Sequence, residues 1–439
     1  MTDAAGISRA IEAARDAFPE TRRMPSWKRA RALRQIRDGV ARRRAEFAEA
    51  IVAEAGKPIR FAEGEVDRCL VTFSIAAEEA TRSGGEVLPV DLEPRAEDLW
   101  CAVERFPKGV VAALTPFNFP LNLLAHKVAP AIACGCPVVA KPSPRTPRAA
   151  TLLAEEVGRT EWPSAAFSVV VCDNADAPGL WRDPRVAVVS FTGSDAVGWK
   201  IKEEAPRKTV VLELGGNAAA IVHDDADLEA AARRLAGSAF AFAGQVCIKA
   251  QRILVSRAVF EPFLERFVAA SRALPAGDLR DARTALCPMI DEEAARRVES
   301  WIGEAVAAGA DARLGGARDG RYVPPTILTG VDPDARVRRR EIFGPVAIVD
   351  AYATFDEALA AANDTSYGLH ASVFTRDIGR IRTAFRSLDV GGVLVNEPPS
   401  TRIDNFPYGG VKASGSGREG VRSTILEYTE PRVLLVSST

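Results

Sequence analysis

The order of apolar segments along this chain predicts an α/β fold in two halves, with a smaller β element at its flank. Three observations carry that expectation. From Gly109 onward, short runs of β-branched and small residues alternate with amphipathic stretches, as in βαβ units around a parallel sheet. The alternation resumes after His223, so a second α/β unit is expected from about residue 216. Finally, 439 residues exceed one ordinary core at a prior of ~150 residues per domain.

The elements follow in order. Ile7, Ile11, Ala14 and Phe18, then Ala30, Leu33, Ile36, Val40, Phe47 and Ile51, recur mostly at the three- and four-residue steps of a buried helix face. The chain thus starts almost at its first helix. Residues 86–104 lack that period and alternate as a β-hairpin would. Strands are expected at 110–114, 138–140, 168–171, 187–190 and 210–212, with helices at 121–134, 147–158 and 194–204 between them. Helices at 226–240, 257–270 and 292–308 belong to the second unit. The tail 428–438 carries the run Arg432-Val-Leu-Leu-Val436. So apolar a strand at a chain end is an exposed edge unless it pairs, so the tail and the hairpin are both expected to serve an oligomer interface.

Composition narrows the function. Lys plus Arg is 57 and Asp plus Glu is 58, a balance that argues against nucleic acid or an anionic membrane as partner. The longest apolar stretch, 128–140, is broken by Pro130, Gly135 and Pro137 and is shorter than the ~20 residues a bilayer requires. The N-terminus has no basic segment leading into an apolar core, so export is not expected. Seven cysteines are scattered along the chain, which fits a reducing cytoplasm better than a disulfide framework. The three histidines are far apart in sequence, so no metal site is expected.

Several residues stand in settings that suggest chemistry. Cys247, in Phe242-Ala-Gly-Gln-Val-Cys247-Ile-Lys-Ala-Gln-Arg252, reads either as one more buried cysteine or as a nucleophile. Gly244 allows close backbone approach there, and Gln245 and Lys249 flank the thiol. Glu213 ends an apolar strand before two glycines. It is either paired with a surface base or a general base whose proton affinity an apolar pocket raises. Asn118, in Leu114-Thr-Pro-Phe-Asn118-Phe-Pro120, is either a helix N-cap or an oxyanion donor. Lys141 closes one strand, and Phe191-Thr-Gly193-Ser194 closes another and opens a helix, where backbone N–H groups can hold a phosphate. Gly415-Ser-Gly417-Arg-Glu-Gly420 matches a dinucleotide pattern, but no strand is expected before it and no βαβ unit after it. It reads as a turn.

Taken as an ordered set, Pro116-Phe-Asn118-Phe-Pro120, Lys141-Pro-Ser143, Phe191-Thr-Gly-Ser194, Glu213-Leu-Gly-Gly216, Gly244-Gln-Val-Cys247, Glu341-Ile-Phe-Gly-Pro345, Asn396 and Pro407-Tyr-Gly-Gly-Val-Lys412 resemble the aldehyde dehydrogenase superfamily over nearly the whole chain. The spacing of 34 positions from Glu213 to Cys247 agrees. The resemblance implies a Rossmann-like cofactor domain (1–91 and 109–215), an α/β catalytic domain (216–420) and a small β oligomerisation flap (92–108 and 421–439). It implies Cys247 as nucleophile, Glu213 as base and Asn118 as oxyanion partner, with NAD or NADP as cofactor. Lys141, Ser143, Glu341, Phe343, Gly193, Ser194, Thr115 and Pro116 would line the cofactor site. Phe119, Leu123, His126 and Arg402 are the candidates to face the aldehyde, although a His on that helix is more often a core residue or one behind the site.

The leading segment usual in that family is missing from the reading. Pro144 and Arg145 stand where many NAD-preferring relatives carry an acid, so NADP stays open although NAD is favoured. The wording around Lys141 and Cys247 is similar to the lactaldehyde and phosphonoacetaldehyde dehydrogenase branch, which implies a small polar or anionic aldehyde. A homodimer or homotetramer is expected. A CoA-acylating semialdehyde dehydrogenase and a catalytically silent relative are the competing readings.

Overall fold

The computed structural model describes residues 1–82 and 84–437. Four helices come first, Ala4–Thr21, Ser26–Arg42, Arg44–Ala55 and Ile59–Arg82. Ile7, Ile11, Leu33, Ile36, Val40 and Phe47 are all buried, so the apolar stripe read from the sequence is the core face of these helices.

Two sheets then dominate. The first has six strands in the order Gly415–Ser416, Thr209–Glu213, Val186–Thr192, Val110–Leu114, Val138–Lys141, Phe167–Val169. All neighbours are parallel except Gly415–Ser416, which runs antiparallel to Thr209–Glu213 with Gly415 opposite Glu213. The second has seven strands, Asp311–Leu314, Thr326–Thr329, Val346–Tyr352, Arg252–Ser256, Ala219–Val222, His370–Phe374 and Gly392–Val395, parallel but for the first pair. Helices cover both sheets, which explains strands that are apolar throughout instead of alternating. The α/β class stands as expected.

A separate antiparallel sheet joins Glu86–Leu88, Leu99–Pro107 and Thr429–Ser437. The tail strand thus pairs within the chain, on the hairpin expected at 86–104. Both of its faces leave apolar side chains exposed, Val433 and Leu435 on one and Trp100, Leu434 and Val436 on the other. Residues 438 and 439 of the expected tail lie outside the described residues. Residues 421–428, expected with that tail, are instead a helix, Val421–Tyr428. Val421, Ile425 and Tyr428 are buried in the main core, because their three- and four-residue spacing gives one apolar helix face. No described helix is long and apolar enough to cross a membrane.

Candidate active site

The segments that leave the carboxyl ends of three neighbouring strands, at Pro116–Phe119, Gly193–Asp195 and Glu213–Gly215, form one wall of a cavity of about 610 Å³. Open α/β sheets place ligands at that end of their strands. Val246–Ile248, Glu341, Phe343, Arg402 and Tyr408 come from the other half of the chain to complete it. Residues more than a hundred positions apart in sequence meet there.

Cys247 follows the helix Leu228–Phe240 through a left-handed turn at Phe242 and Ala243, both at φ 52°. Such backbone is costly for residues with a Cβ, and it delivers the thiol to the cavity. Gly244 continues the turn at φ 63°, and a side chain there would collide with the Gly344 and Ala239 carbonyls. Of seven free cysteines, Cys247 alone is not fully buried. Its Sγ lies 3.2 Å from the Tyr408 hydroxyl. Burial pushes the thiol up to about 12; Glu341 and Glu213 add to this, while the Tyr408 hydrogen bond and Arg402 oppose it. Such a thiol needs a base and a positive surrounding to ionise.

Glu213 ends its strand on the same cavity. The turn after it packs directly on the cysteine loop, since a Cβ on Gly216 would strike the Cys247 carbonyl. Both Glu213 carboxylate oxygens are buried and lack a hydrogen-bond partner among the described residues. Burial, then the charge of Glu419, hold its carboxyl well above the usual range, against the pull of Arg402, Lys127 and Arg418. Glu419 itself accepts from Lys127 Nζ at 2.6 Å and from Arg402 Nη2 at 3.2 Å. The Gly415–Gly420 segment is therefore more than the expected turn. It contributes a short strand beside Glu213 and a buried acid behind it.

Asn118 does not cap the helix Asn122–Cys134. The Glu65 carboxylate takes that role, accepting from the backbone N–H groups of Leu121 and Asn122 at 2.8 and 3.1 Å. Asn118 is left to face the cavity, its Nδ2 donating one bond to the Gln245 carbonyl at 2.9 Å. An amide carries two N–H donors, so one remains for a ligand beside Cys247.

Among the other expected residues, Pro116, Gly193, Ser194, Glu341, Phe343, Phe119, Leu123 and Arg402 line the cavity. Glu341 accepts from the Gly216 N–H at 2.9 Å, and burial raises its carboxyl to about 7. Thr115, Lys141 and Ser143 lie off this wall. Thr115 and Lys141 sit together at adjoining strand ends, Thr115 N–H donating to the Lys141 carbonyl at 3.1 Å, and Lys141 Nζ donates to Asn174 Oδ1 at 3.2 Å. His126 does not reach the cavity. It points into the helix packing, fully buried, with Nε2 2.8 Å from Asp404 Oδ1, and burial together with Arg402 lowers it to about 4. The residue on the wall in its stead is Arg68, whose Nε and Nη2 donate to the same Asp404 at 3.1 and 2.7 Å.

Arg68, Lys127, Tyr408 and Glu419 were not foreseen. Lys127 had a visible signal, a cation inside the apolar run 121–134, every residue of which is buried. The only described group suited to a metal is His223, Asp224 and Asp225, outside the cavity wall.

The comparisons with known proteins bear on this site. Residues 1–434 match the aldehyde dehydrogenase family. The chain belongs to the aldehyde dehydrogenase family. Its relatives include a 3-sulfolactaldehyde dehydrogenase from Priestia aryabhattai, 42% identical over 433 residues, 98% of this chain and 90% of that protein. Aldehyde dehydrogenase 21 from Physcomitrella patens, solved with its reaction product succinate, superposes at a TM-score of 0.97 with 42% identity, covering 99% of this chain and 91% of that one. The NADP complex of a glyceraldehyde-3-phosphate dehydrogenase from Methanocaldococcus jannaschii superposes at 0.95 with 36% identity, over 99% and 95% of the two chains. As a member of this family the protein is an oxidoreductase that oxidises an aldehyde with NAD or NADP.

Proposed function

We propose that the enzyme oxidises a small anionic aldehyde to its acid through a thioester on Cys247, with Glu213 as the base. The single observation that carries this is the partnerless Glu213 carboxylate on the wall it shares with the partly exposed Cys247 thiol. A buried carboxyl left without a partner is costly, and a family of this chemistry needs a proton acceptor at that place.

The residues of the cavity suit a nicotinamide dinucleotide. Thr115 Oγ1 is a buried polar atom without a partner at the strand ends. The bare backbone of Gly193 opens the helix Asp195–Glu204, and a Cβ there would press on the Phe191 ring. Glu341 and Phe343 are the residues to hold the ribose and nicotinamide ends, with Lys141 and Ser143 toward the adenine side. When bound, the oxidised nicotinamide supplies the hydride acceptor.

The chain's own residues do the rest. Cys247 loses its proton toward Glu213 and its sulfur adds to the aldehyde carbon. The second Asn118 N–H and the Cys247 backbone N–H meet the oxyanion, each such donor worth about 3–4 kcal/mol in the barrier. Once Glu213 has passed the thiol proton on to solvent, it takes a proton from the water that cleaves the thioester, and its raised proton affinity matches that task. That carboxylate also weighs against CoA as acceptor. For the substrate's far end, Arg68 and Arg402 line the cavity and favour a carboxylate or sulfonate, in keeping with the 3-sulfolactaldehyde and succinate named for the relatives. We further read 1–91 with 109–215 as the cofactor domain, 216–420 as the catalytic domain, the three-stranded sheet as an oligomer contact, and the cytoplasm as the location.

The test is an aldehyde panel followed by absorbance of the reduced nicotinamide, run with NAD and with NADP. Succinate semialdehyde or sulfolactaldehyde should outrun hexanal in kcat/KM. The reverse order would overturn the anionic reading, and acyl-CoA formation would overturn hydrolysis.

A further inference from the structure

We propose that Tyr408 is a further catalytic residue, whose hydroxyl donates a hydrogen bond to the Cys247 sulfur and stabilises the thiolate as it forms. The inference rests on Cys247 being the nucleophile.

Packing alone does not account for the hydroxyl. Tyr408 is buried, and among the described residues its one side-chain hydrogen-bond partner is Cys247 Sγ at 3.2 Å. A phenylalanine would fill the same space without burying a polar atom, and a buried hydroxyl stabilises nothing unless it is matched. The ring is clamped as well. The Arg402 guanidinium lies 3.7 Å from its centroid and the His370 imidazole meets it edge-on at 5.2 Å. A cation over the π face draws electron density from the ring, which makes the O–H a stronger donor. Arg402 is in turn fixed by Glu419 at 3.2 Å, so the sulfur, the phenol, the guanidinium and the acid form one buried column.

The charges around the sulfur show what the hydroxyl offsets. Glu213 from its strand end and Glu341 from the second half both oppose a thiolate, while Arg402 and Tyr408 favour it. Lys249, two residues on, does not help, since its Nζ donates to the Val346 carbonyl at 2.6 Å. With Arg402 shared among Glu419, Tyr408 and the cavity, the Tyr408 O–H is the one neutral side-chain donor on the sulfur among the described residues. Burial and the neighbouring sulfur keep the phenol protonated, so it has a proton to donate once the sulfur is ionised. In the ionisation the Cys247 S–H bond breaks, its proton passes to Glu213 or to water, and Tyr408 keeps its own proton.

The experiment compares full-length wild type with Tyr408→Phe in the rate of iodoacetamide alkylation against pH, read by mass of the peptide that holds Cys247. Alkylation forms a sulfur–carbon bond and releases iodide, so its rate follows the thiolate fraction. The other six cysteines are buried and serve as blanks. Loss of a bond to a charged sulfur should move the midpoint up by about one pH unit or more, and slow labelling at neutral pH about tenfold or more. KM for the aldehyde should change little while kcat/KM falls. An unmoved midpoint overturns the inference. Cys247→Ala separates the two claims: steady turnover in that variant would sink the nucleophile reading itself, whatever Tyr408 does. Should Tyr408→Phe not fold, 3-fluorotyrosine at the same position, a stronger donor, must lower the midpoint; no shift is again fatal.

Discussion

Glu213 and Glu419 are both buried, both feel Lys127 and Arg402, and are driven in opposite directions. Glu213 has no hydrogen-bond partner and its carboxyl is held well above the usual range, first by burial and then by the charge of Glu419. Burial pushes Glu419 up as well, but Lys127, Arg402 and His126 more than reverse this and leave it below that range. Identical side chains within reach of each other's charge become a proton acceptor and a fixed anion. The difference lies in which elements supply the counter-charge. The helix Asn122–Cys134 sends Lys127 to Glu419 and past Glu213. Two carboxyls whose environments part their proton affinities are the usual mark of an acid–base site.

The largest test breaks the unpartnered member. Glu213→Gln should lower steady-state turnover by roughly 10²–10⁴-fold, the range for a general base, while a single burst of reduced nicotinamide persists in stopped-flow traces. That burst reports acylation, so its loss would show that Glu213 is needed before hydrolysis. Full steady turnover in Glu213→Gln would remove it from the mechanism and leave the contrast with Glu419 without a function.

Breaking the satisfied member should act on stability more than on chemistry. Lys127→Met leaves Glu419 with Arg402 alone in a fully buried place. Removing one partner of a buried ion pair costs about 3–5 kcal/mol, which urea unfolding would register as a lower midpoint. The same loss takes away a cation that now pulls the Glu213 carboxyl down, so the carboxyl should rise further and the pH profile of steady turnover should move to higher pH. A variant as stable as wild type would mean that Lys127 and Glu419 are not the fixed half of the comparison.

How much of this was legible follows from the kind of signal each residue leaves. Cys247, Glu213 and Asn118 stand in short segments with their own local oddity: a polar residue at a strand end, a glycine pair, a proline-bounded loop. The parallel strands at 110–114, 138–141 and 186–192 were legible for a related reason, since strands buried on both faces are continuous apolar runs. Tyr408, Glu419 and Arg68 leave no such trace. Each matters through a partner at least 160 positions away, Cys247, Lys127 and Asp404 respectively. Glu419 was further hidden inside a glycine pattern that suggested a turn. His126 was open in the sequence between the core and the substrate wall, because both lie along the helix after Asn118; Leu123 takes the cavity wall and the turn of the helix carries His126 to Asp404. The tail helix Val421–Tyr428 was missed because eight residues hold too short a period to separate from a strand.

The smallest effect is the one that most directly measures the contrast, because it needs no substrate. The folded state raises the Glu213 carboxyl above its unfolded value. A group so raised favours the folded state fully while protonated, below the unfolded value near pH ~4.3. It withdraws that support as pH climbs through the raised value, where the charge must be buried. Glu213→Gln, neutral throughout, escapes the penalty. Its melting temperature should therefore exceed that of wild type by a few degrees at pH 8, and the gap should close as pH falls toward 4. Glu419→Gln must show the reverse: its carboxyl is held low, so the wild type keeps the advantage at pH 8 and loses it only in stronger acid. Two variants differing by one amide should cross in opposite senses along the same pH axis. If both lose stability at pH 8, the Glu213 carboxylate has a partner after all, and its place as the base goes with it.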